Sequence, residues 1–243
     1  MHRFKIDKGK ISGDLITLAG DEYRHLANVL RIKAGEDVIV FDDEGMEYFS
    51  TVLRFENSTA KLQVTAQKPG EAEPGIWIAL YQALPKGDKM ETVIQKAVEL
   101  GVKEIFPVNA LRCITKLEGR KEIDRVARWN RIAKEAAKQC GRSYIPVVHR
   151  PVGFREAIDK AADSSFCIFP YENAVGKGMR DLPLEGEKRF SIFIGPEGGF
   201  DDKEAAYVCS KGITPVTLGR RILRTETAPI VAIALLMHIK GEI

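Results

Sequence analysis

Apolar and polar positions change their period along this chain near residue 75. Before that point they alternate in short runs: Leu15-Ile16-Thr17-Leu18, Asp37-Val38-Ile39-Val40-Phe41, residues 48–55 and residues 60–65. Turn residues separate the runs at Gly13-Asp14, Ala34-Gly35, Asp43-Glu44-Gly45 and Asn57-Ser58. Period-two runs bounded by such residues predict strands. One helix fits between them, capped by Asp21 and running through residues 23–31. A small β-barrel-like domain is expected over residues 1–72, and the Pro/Gly-containing stretch 67–75 reads as the linker.

Beyond the linker, strand and helix patterns alternate. Strands are expected at 76–81, 104–108, 166–169, 189–194 and 215–218. Asp88 starts a helix that Gly101 stops, and a long helix over 121–139 ends at Gly141. Asp201 with Glu204 forms a capping box for a helix that closes near Gly212. Thr227 and Pro229 open the last helix. This alternation over residues 73–243 predicts an α/β domain with a mainly parallel sheet covered on both faces.

Composition changes this picture little. With 44% hydrophobic and 29% charged residues in 243, the chain has the make-up of a folded globular protein of one large or two smaller domains. Its longest apolar run, residues 230–237, is far below the roughly 18 residues of a membrane span. The start Met1-His2-Arg3-Phe4-Lys5 lacks a signal-peptide core. Cys113, Cys140, Cys167 and Cys209 have no zinc or CxxC spacing, and the histidines form no ligand pair. A cytoplasmic, thiol-reduced chain with no membrane contact and no metal is expected.

Charge matters more once it is mapped. Net charge is +3, yet residues 112–150 hold eleven basic and four acidic side chains. On the long helix, Ile123, Val126, Ala127, Trp129, Ile132, Ala133, Ala136, Ala137 and Cys140 fall on one arc. Lys121, Arg125, Arg128, Arg131, Lys134, Lys138 and Arg142 fall on the other, interrupted only by Glu135. A solvated face is the bland explanation. Cations of this density without helical acidic partners point instead to a polyanion, and a nucleic-acid contact is expected.

Two glycine-punctuated loops carry the chemistry. Gly195-Pro196-Glu197-Gly198-Gly199-Phe200 and Leu218-Gly219-Arg220-Arg221-Ile222-Leu223-Arg224-Thr225-Glu226-Thr227-Ala228-Pro229 each follow an expected strand and lead into a helix. Consecutive strand ends of an open α/β sheet are where small ligands bind. The first loop is not a P-loop, since no Gly-Lys-Ser/Thr follows. Gly176-Lys177-Gly178 is not a dinucleotide fingerprint either. Nucleoside triphosphates and nicotinamide cofactors are therefore disfavoured.

Together with His25-Leu26-x-x-Val29-Leu30-Arg31, Lys86-Gly87-Asp88-Lys89-Met90-Glu91, Gln95-Lys96-x-x-Glu99-Leu100-Gly101-Val102 and Ala136-x-x-Gln139-Cys140-Gly141-Arg142, these loops closely resemble the ribosomal RNA small subunit methyltransferase E family of the SPOUT class. The resemblance runs end to end. It implies a PUA-like RNA-binding domain, then an α/β domain with a trefoil knot, and a homodimer with each active site near the partner subunit. It implies transfer of a methyl group from S-adenosylmethionine to ring nitrogen 3 of a uridine in 16S rRNA, within an assembled small subunit.

By position in that family, Gly195, Pro196, Glu197 and Gly198 face the cofactor from one loop. Leu218, Gly219, Ile222, Leu223 and Thr227 wrap it from the other, and Phe169, Pro170, Tyr171 and Glu172 form a third wall. Uracil nitrogen 3 is protonated at neutral pH, so transfer needs that proton removed or the anion stabilised. Arg224 and Arg142 are the candidates for stabilising the anion or holding its carbonyls. Glu226 or Glu197 is the candidate acceptor, with a loop brace as the plain alternative for Glu226 and phosphate binding for Arg142. Cys140 reads as a structural thiol and His25 as a packing residue. Arg3, Arg24 and Arg31 in the first domain, and Arg125, Arg128, Arg131 and Lys138 on the long helix, are the candidate RNA contacts. A non-catalytic RNA-binding factor, or a methyltransferase acting on another base or a ribose hydroxyl, are the rival classes.

Overall fold

The computed structural model describes residues 1–42 and 44–243; Asp43, in one of the expected turns, lies outside them. Met1–Glu73 and Ala137–Ile145 form one compact unit, and Pro74–Ala136 with Pro146–Ile243 the other.

In the first unit, strands β1 (Arg3–Lys5), β2 (Ile11–Ser12), β3 (Leu15–Ala19), β4 (Asp37–Phe41), β5 (Met46–Glu56) and β6 (Thr59–Pro69) form one sheet in the order β1-β4-β5-β6-β3-β2. All pairs are antiparallel except β1 with β4. Register shifts at Phe49/Ser50 and Val52/Arg54 bend β5 against β6. The sheet and helix α1 (Gly20–Arg24), continued by a π-helical turn at His25–Val29, enclose Phe4, Ile16, Leu18, Leu26, Val38, Val40 and Leu62. Asp21 does not cap α1: the N-cap is Ala19, and Asp21 pairs with Arg24 instead. The expected linker is also partly strand, because β6 pairs Gln67 and Lys68 with the long partner β5 and ends at Pro69. A proline at a strand end sacrifices no central ladder bond. His25 packs edge-on against Phe4.

Two ion pairs and a hydrogen bond from the Arg3–Glu47 pair join Ala137–Ile145 to the rest of this unit. Lys138 reaches Glu22 at 2.8 Å, Arg142 reaches Glu73 at 2.9 Å, and Arg3 reaches Glu47 at 2.7 Å while also donating to Ser143. All three cations are nearly buried.

The second unit is α/β. Strands β7 (Trp77–Ala83), β8 (Glu104–Asn109), β9 (Val147–Val148), β10 (Val152–Gly153), β11 (Phe166–Pro170), β12 (Arg189–Ile194) and β13 (Pro215–Val216) form a wholly parallel sheet in the order β10-β8-β7-β12-β11-β13, with β9 also on β8. Helices α2 (Lys89–Glu99), α3 (Gly119–Cys140), α4 (Phe154–Ala162), α5 (Asp202–Ser210) and α6 (Ala228–Ile239) connect or follow the strands. Helices α2 and α6 pack together, as do α4 and α5. Ala79, Tyr81 and Ala83 join Phe106, Phe169 and Phe193 in a core with Phe154, Ile158 and Val208. Alternate β7 residues Ile78 and Leu80 are equally buried, as a strand covered on both faces requires.

Helix α4 is a further element of this unit, opened by Gly153, with Phe154, Ala157, Ile158 and Ala161 buried at helical spacing. On α3 the buried stripe is Trp129, Ala133, Ala136 and Ala137, whereas Ile123 and Ala127 are exposed. The expectation of unpartnered cations on its other arc is overturned. Arg125 meets Asp88 at 3.0 Å, and Arg128 meets Glu91 at 2.8 Å, so α2 supplies the acids that α3 lacks. Arg131 is exposed and forms no ion pair among the described residues. No helix of the described residues is long and apolar enough to cross a membrane.

Candidate functional site

The carboxyl ends of β7, β12, β11 and β13 meet where strand order departs from chain order, and the loops leaving them face one another. Residues 195–200 leave β12. Gly199 N–H donates to Pro196 O at 3.0 Å, closing a turn, and Gly199 has φ +67°. A Cβ there would fall 2.1 Å from Glu172 Oε1, so both the turn and the closeness of the Glu172 carboxylate demand glycine. Phe200 is buried and stacks on Phe169, with ring centroids 4.5 Å apart. The capping box of Asp201 and Glu204 then opens α5, as its sequence predicts.

Thr225 ties the second loop to the first. Its hydroxyl donates to Gly195 O at 2.7 Å and accepts from Gln82 Nε2 at 3.1 Å. Thr225 and Gln82 are both buried, so one side chain clasps the ends of β7 and β12. Two flanking amides, those of Thr227 and Ala228, donate to Arg224 O and start α6.

These loops enclose a cleft of about 440 Å³ lined by Pro170, Glu172, Gly195, Pro196, Glu197, Gly198, Ile222, Leu223 and Arg224. It falls in the size range of small-molecule sites. A smaller hollow of about 120 Å³ shares Glu172, Ile222 and Leu223 and adds Tyr171, Leu218 and Gly219. Ile222 is 86% exposed, an apolar side chain held in solvent beside the cleft. Tyr171 donates its hydroxyl to Asp202 at 2.7 Å, and that bond raises the phenol's pKa.

Lys89, at the start of α2, also lines the cleft. Its ammonium donates to Glu197 Oε1 at 2.9 Å and lies 3.4 Å from Glu226 Oε2. Glu197 Oε1 also accepts the Lys86 N–H at 3.1 Å. Burial works against the Glu197 carboxylate, but the Lys89 and backbone hydrogen bonds outweigh it and hold its pKa below the ordinary value. Lys89 is correspondingly raised, chiefly by its bond to Glu197.

Not every residue expected at the site lines it. Phe169 is fully buried beneath Phe200 and supports the wall from inside. Thr227 is the N-cap position of α6, and neither it nor Glu226 lines either hollow. Glu226 faces Lys89, with Oε2 buried and without a hydrogen bond, an arrangement that suits a brace. Arg142 belongs to the first unit, buried on Glu73 through both Nε and Nη2. Arg224 is exposed on the cleft and, among the described residues, its side chain has no ion pair. Arg3 and Lys138 are occupied by Glu47 and Glu22, whereas Arg24 and Arg31 are exposed.

Lys89, Gln82, Thr225 and Arg112 are additional parts of the site. Arg112 follows β8 and donates to Gly198 O at 3.0 Å and Asp201 Oδ2 at 3.3 Å, bracing the first loop from outside. Lys89 had a usable signal, since it starts a helix just after a strand end. Among the described residues, no three His, Cys, Asp or Glu side chains are grouped to hold a metal ion.

A family model for an RNA methyltransferase domain matches residues 72–237, and one for an RNA methyltransferase PUA domain matches residues 18–64. The ribosomal RNA small subunit methyltransferase E of Bacillus subtilis is 31% identical over 230 residues, covering 91% of this chain and 89% of that protein. The Aquifex aeolicus protein of the same name is 30% identical over 98% of this chain and all of its own length. The Neisseria gonorrhoeae enzyme of that name, solved bound to S-adenosylmethionine, superposes with a TM-score of 0.89 at 34% identity, covering 98% of each chain. A Legionella pneumophila methyltransferase with the same bound cofactor gives 0.88 at 32% identity, covering 98% of this chain and 97% of that one.

Proposed function

The chain belongs to the ribosomal RNA small subunit methyltransferase E family, and from that premise we propose how its residues methylate ring nitrogen 3 of a uridine in 16S rRNA. It is an RNA methyltransferase that uses S-adenosylmethionine, with a PUA-like domain ahead of an α/β catalytic domain. The cleft between residues 195–200 and 218–225 carries this reading.

The lining fits the cofactor by chemistry. Ile222 and Leu223 would offer an apolar slot for a purine, loop backbone groups would offer hydrogen bonds, and the Glu172 and Glu197 carboxylates would favour a cationic sulfonium in the cleft. The cofactor supplies a methyl group already activated by that sulfonium. The protein aligns the nucleophile with it, which is the task of the Thr225 clasp and the Arg112 brace.

Arg224 is the cation available to the substrate base. Set against a uracil carbonyl, it favours the nitrogen anion over the protonated ring and so generates the nucleophile. Glu197 remains a candidate acceptor for the proton, but Lys89 holds it ionised and makes it a weak base. Glu226 is better placed as the counter-charge to Lys89 than as a base. Arg142 is assigned to structure in the first unit.

A homodimer is supported by α6. The helix is apolar on every side: Ala232, Ile233 and Leu236 are buried, and Ile230, Val231, Ala234 and Leu235 are left half-exposed. An all-apolar helix belongs in an interior, and a second copy would provide one. A trefoil knot in the α/β domain is proposed on the resemblance of its two glycine-punctuated loops to those of the family, loops that Thr225 ties to each other and to Gln82. The assembled small subunit is the proposed substrate.

Incubation of the purified protein with labelled S-adenosylmethionine and small subunits from a deletion strain tests the assignment. The digested 16S rRNA is expected to contain labelled 3-methyluridine. Label in another nucleoside would replace the proposed target atom.

A further inference from the structure

A second hollow, of about 570 Å³, opens at the carboxyl ends of β8 and β10. Its lining includes Leu111, Phe154, Tyr207 and Asn109, with the exposed Arg155 and Lys203 at its rim. We infer that this hollow is an RNA subsite that takes a nucleotide flanking the methylated uridine, its base against Leu111 and its phosphate on Arg155 and Lys203. The inference rests on the proposed function.

Three observations converge on that occupant. Leu111 is 66% exposed and so offers apolar surface at the mouth of the hollow. Arg155 and Lys203 form no ion pair among the described residues, unlike Arg125, Arg128 and Lys138. Arg155 is instead held over the Tyr207 ring, 4.8 Å from its centroid, which fixes the guanidinium at the rim. The acid inside the hollow is already engaged: Glu204 accepts the N–H groups of Leu111 and Asp201 at 2.8 and 2.9 Å, leaving Glu156 as the rim carboxylate.

Continuity decides between RNA and a peptide. Leu111 lines the hollow, and the next residue, Arg112, donates to the carbonyl of Gly198, which lines the cofactor cleft, so the two hollows are joined through neighbouring residues. An RNA strand whose base enters the cleft must carry a neighbouring nucleotide past those residues. Apolar contact to a base face with cations on its phosphate is the usual chemistry of single-strand recognition.

The test uses the full-length protein and a labelled single-stranded RNA of about 15 nucleotides containing uridine, read by fluorescence anisotropy across a salt series. The Arg155→Ala/Lys203→Ala double variant is expected to bind about tenfold more weakly. Its log–log salt slope should fall by about 0.7, the value for one phosphate no longer neutralised on a single strand. Leu111→Ser is expected to weaken binding several-fold at unchanged slope. Calorimetric affinity for S-adenosylmethionine should stay at the wild-type value in all variants, which shows that the cofactor site is intact. Unchanged RNA affinity and slope would overturn the subsite while leaving the methyltransferase assignment standing. Altered sedimentation of the variants would also overturn it, in favour of a second copy as the occupant. Conversely, weakened RNA binding by the variants of a protein whose wild type transfers no methyl group would retain the subsite and remove the proposed reaction.

Discussion

Arg224 and Lys89 are two cations on one cleft with opposite assignments. Arg224 has no carboxylate partner among the described residues, which is why its charge is proposed to serve the substrate. Arg224→Ala is expected to lower the methyl-transfer rate by about 100-fold or more, the scale of removing one preorganised charge stabiliser. Calorimetric cofactor affinity should change little, and an unchanged rate would take Arg224 out of the mechanism. Lys89 instead pairs with Glu197 and Glu226. Because the Glu197 pKa is depressed in the fold, its contribution is present above the unfolded value of about 4.3 and is lost only as pH falls through the lower folded value. Lys89→Met removes the main cause of that depression and leaves burial opposing the charge. Cofactor affinity of the variant is therefore expected to fall at a higher pH than in the wild type as the solution is acidified. Coincident pH profiles, followed by calorimetry from neutral pH downwards, would separate Lys89 from the Glu197 charge.

At the scale of elements, the buried Thr225 hydroxyl is the joint between the two loops and the end of β7. Thr225→Val preserves shape but leaves Gly195 O and one hydrogen of the Gln82 amide without their partner. A loss of about 1–3 kcal/mol is expected from leaving buried polar groups unpaired, seen as a lower Tm together with weaker cofactor binding. Thr225→Ser should restore both, and a stable, fully binding valine variant would show that packing alone holds the loops. Features of this kind divide what the sequence discloses from what it conceals. Asp201 with Glu204, and the glycines after α2 and α3, act within a few residues and are legible as written. Helix α4 carries a local apolar period too, in Phe154, Ala157, Ile158 and Ala161. The partners of Arg125 and Arg128 are more than thirty residues away on α2, so counting acids along α3 misjudges its charge. Arg112 and Thr225 acquire their roles only through the strand order, which places the ends of β8, β7 and β12 side by side. Phe169 shows the converse: a residue next to the site in sequence points into the core beneath it.

For the whole molecule, α6 sets the strongest constraint on assembly. Its buried positions satisfy the sheet and α2, yet Ile230, Val231, Ala234 and Leu235 keep apolar surface partly in water. Each buried methylene contributes about 0.8 kcal/mol, so covering four such side chains in two copies favours association by several kcal/mol before the entropy of pairing is subtracted. The same helix begins at Ala228, which lines the proposed cofactor cleft, and follows directly on the loop that carries Arg224. Pairing along α6 would therefore steady the start of the helix and that loop together. Leu235→Asp places a charge on that face without touching the cleft. It is expected to sediment as a monomer, keep the wild-type circular dichroism spectrum, and lose methyl transfer in proportion to the loss of dimer. Recovery of activity at high protein concentration would identify association as the cause. A variant that remains a dimer would locate the subunit contact elsewhere, and a fully active monomer would show that each catalytic domain works alone.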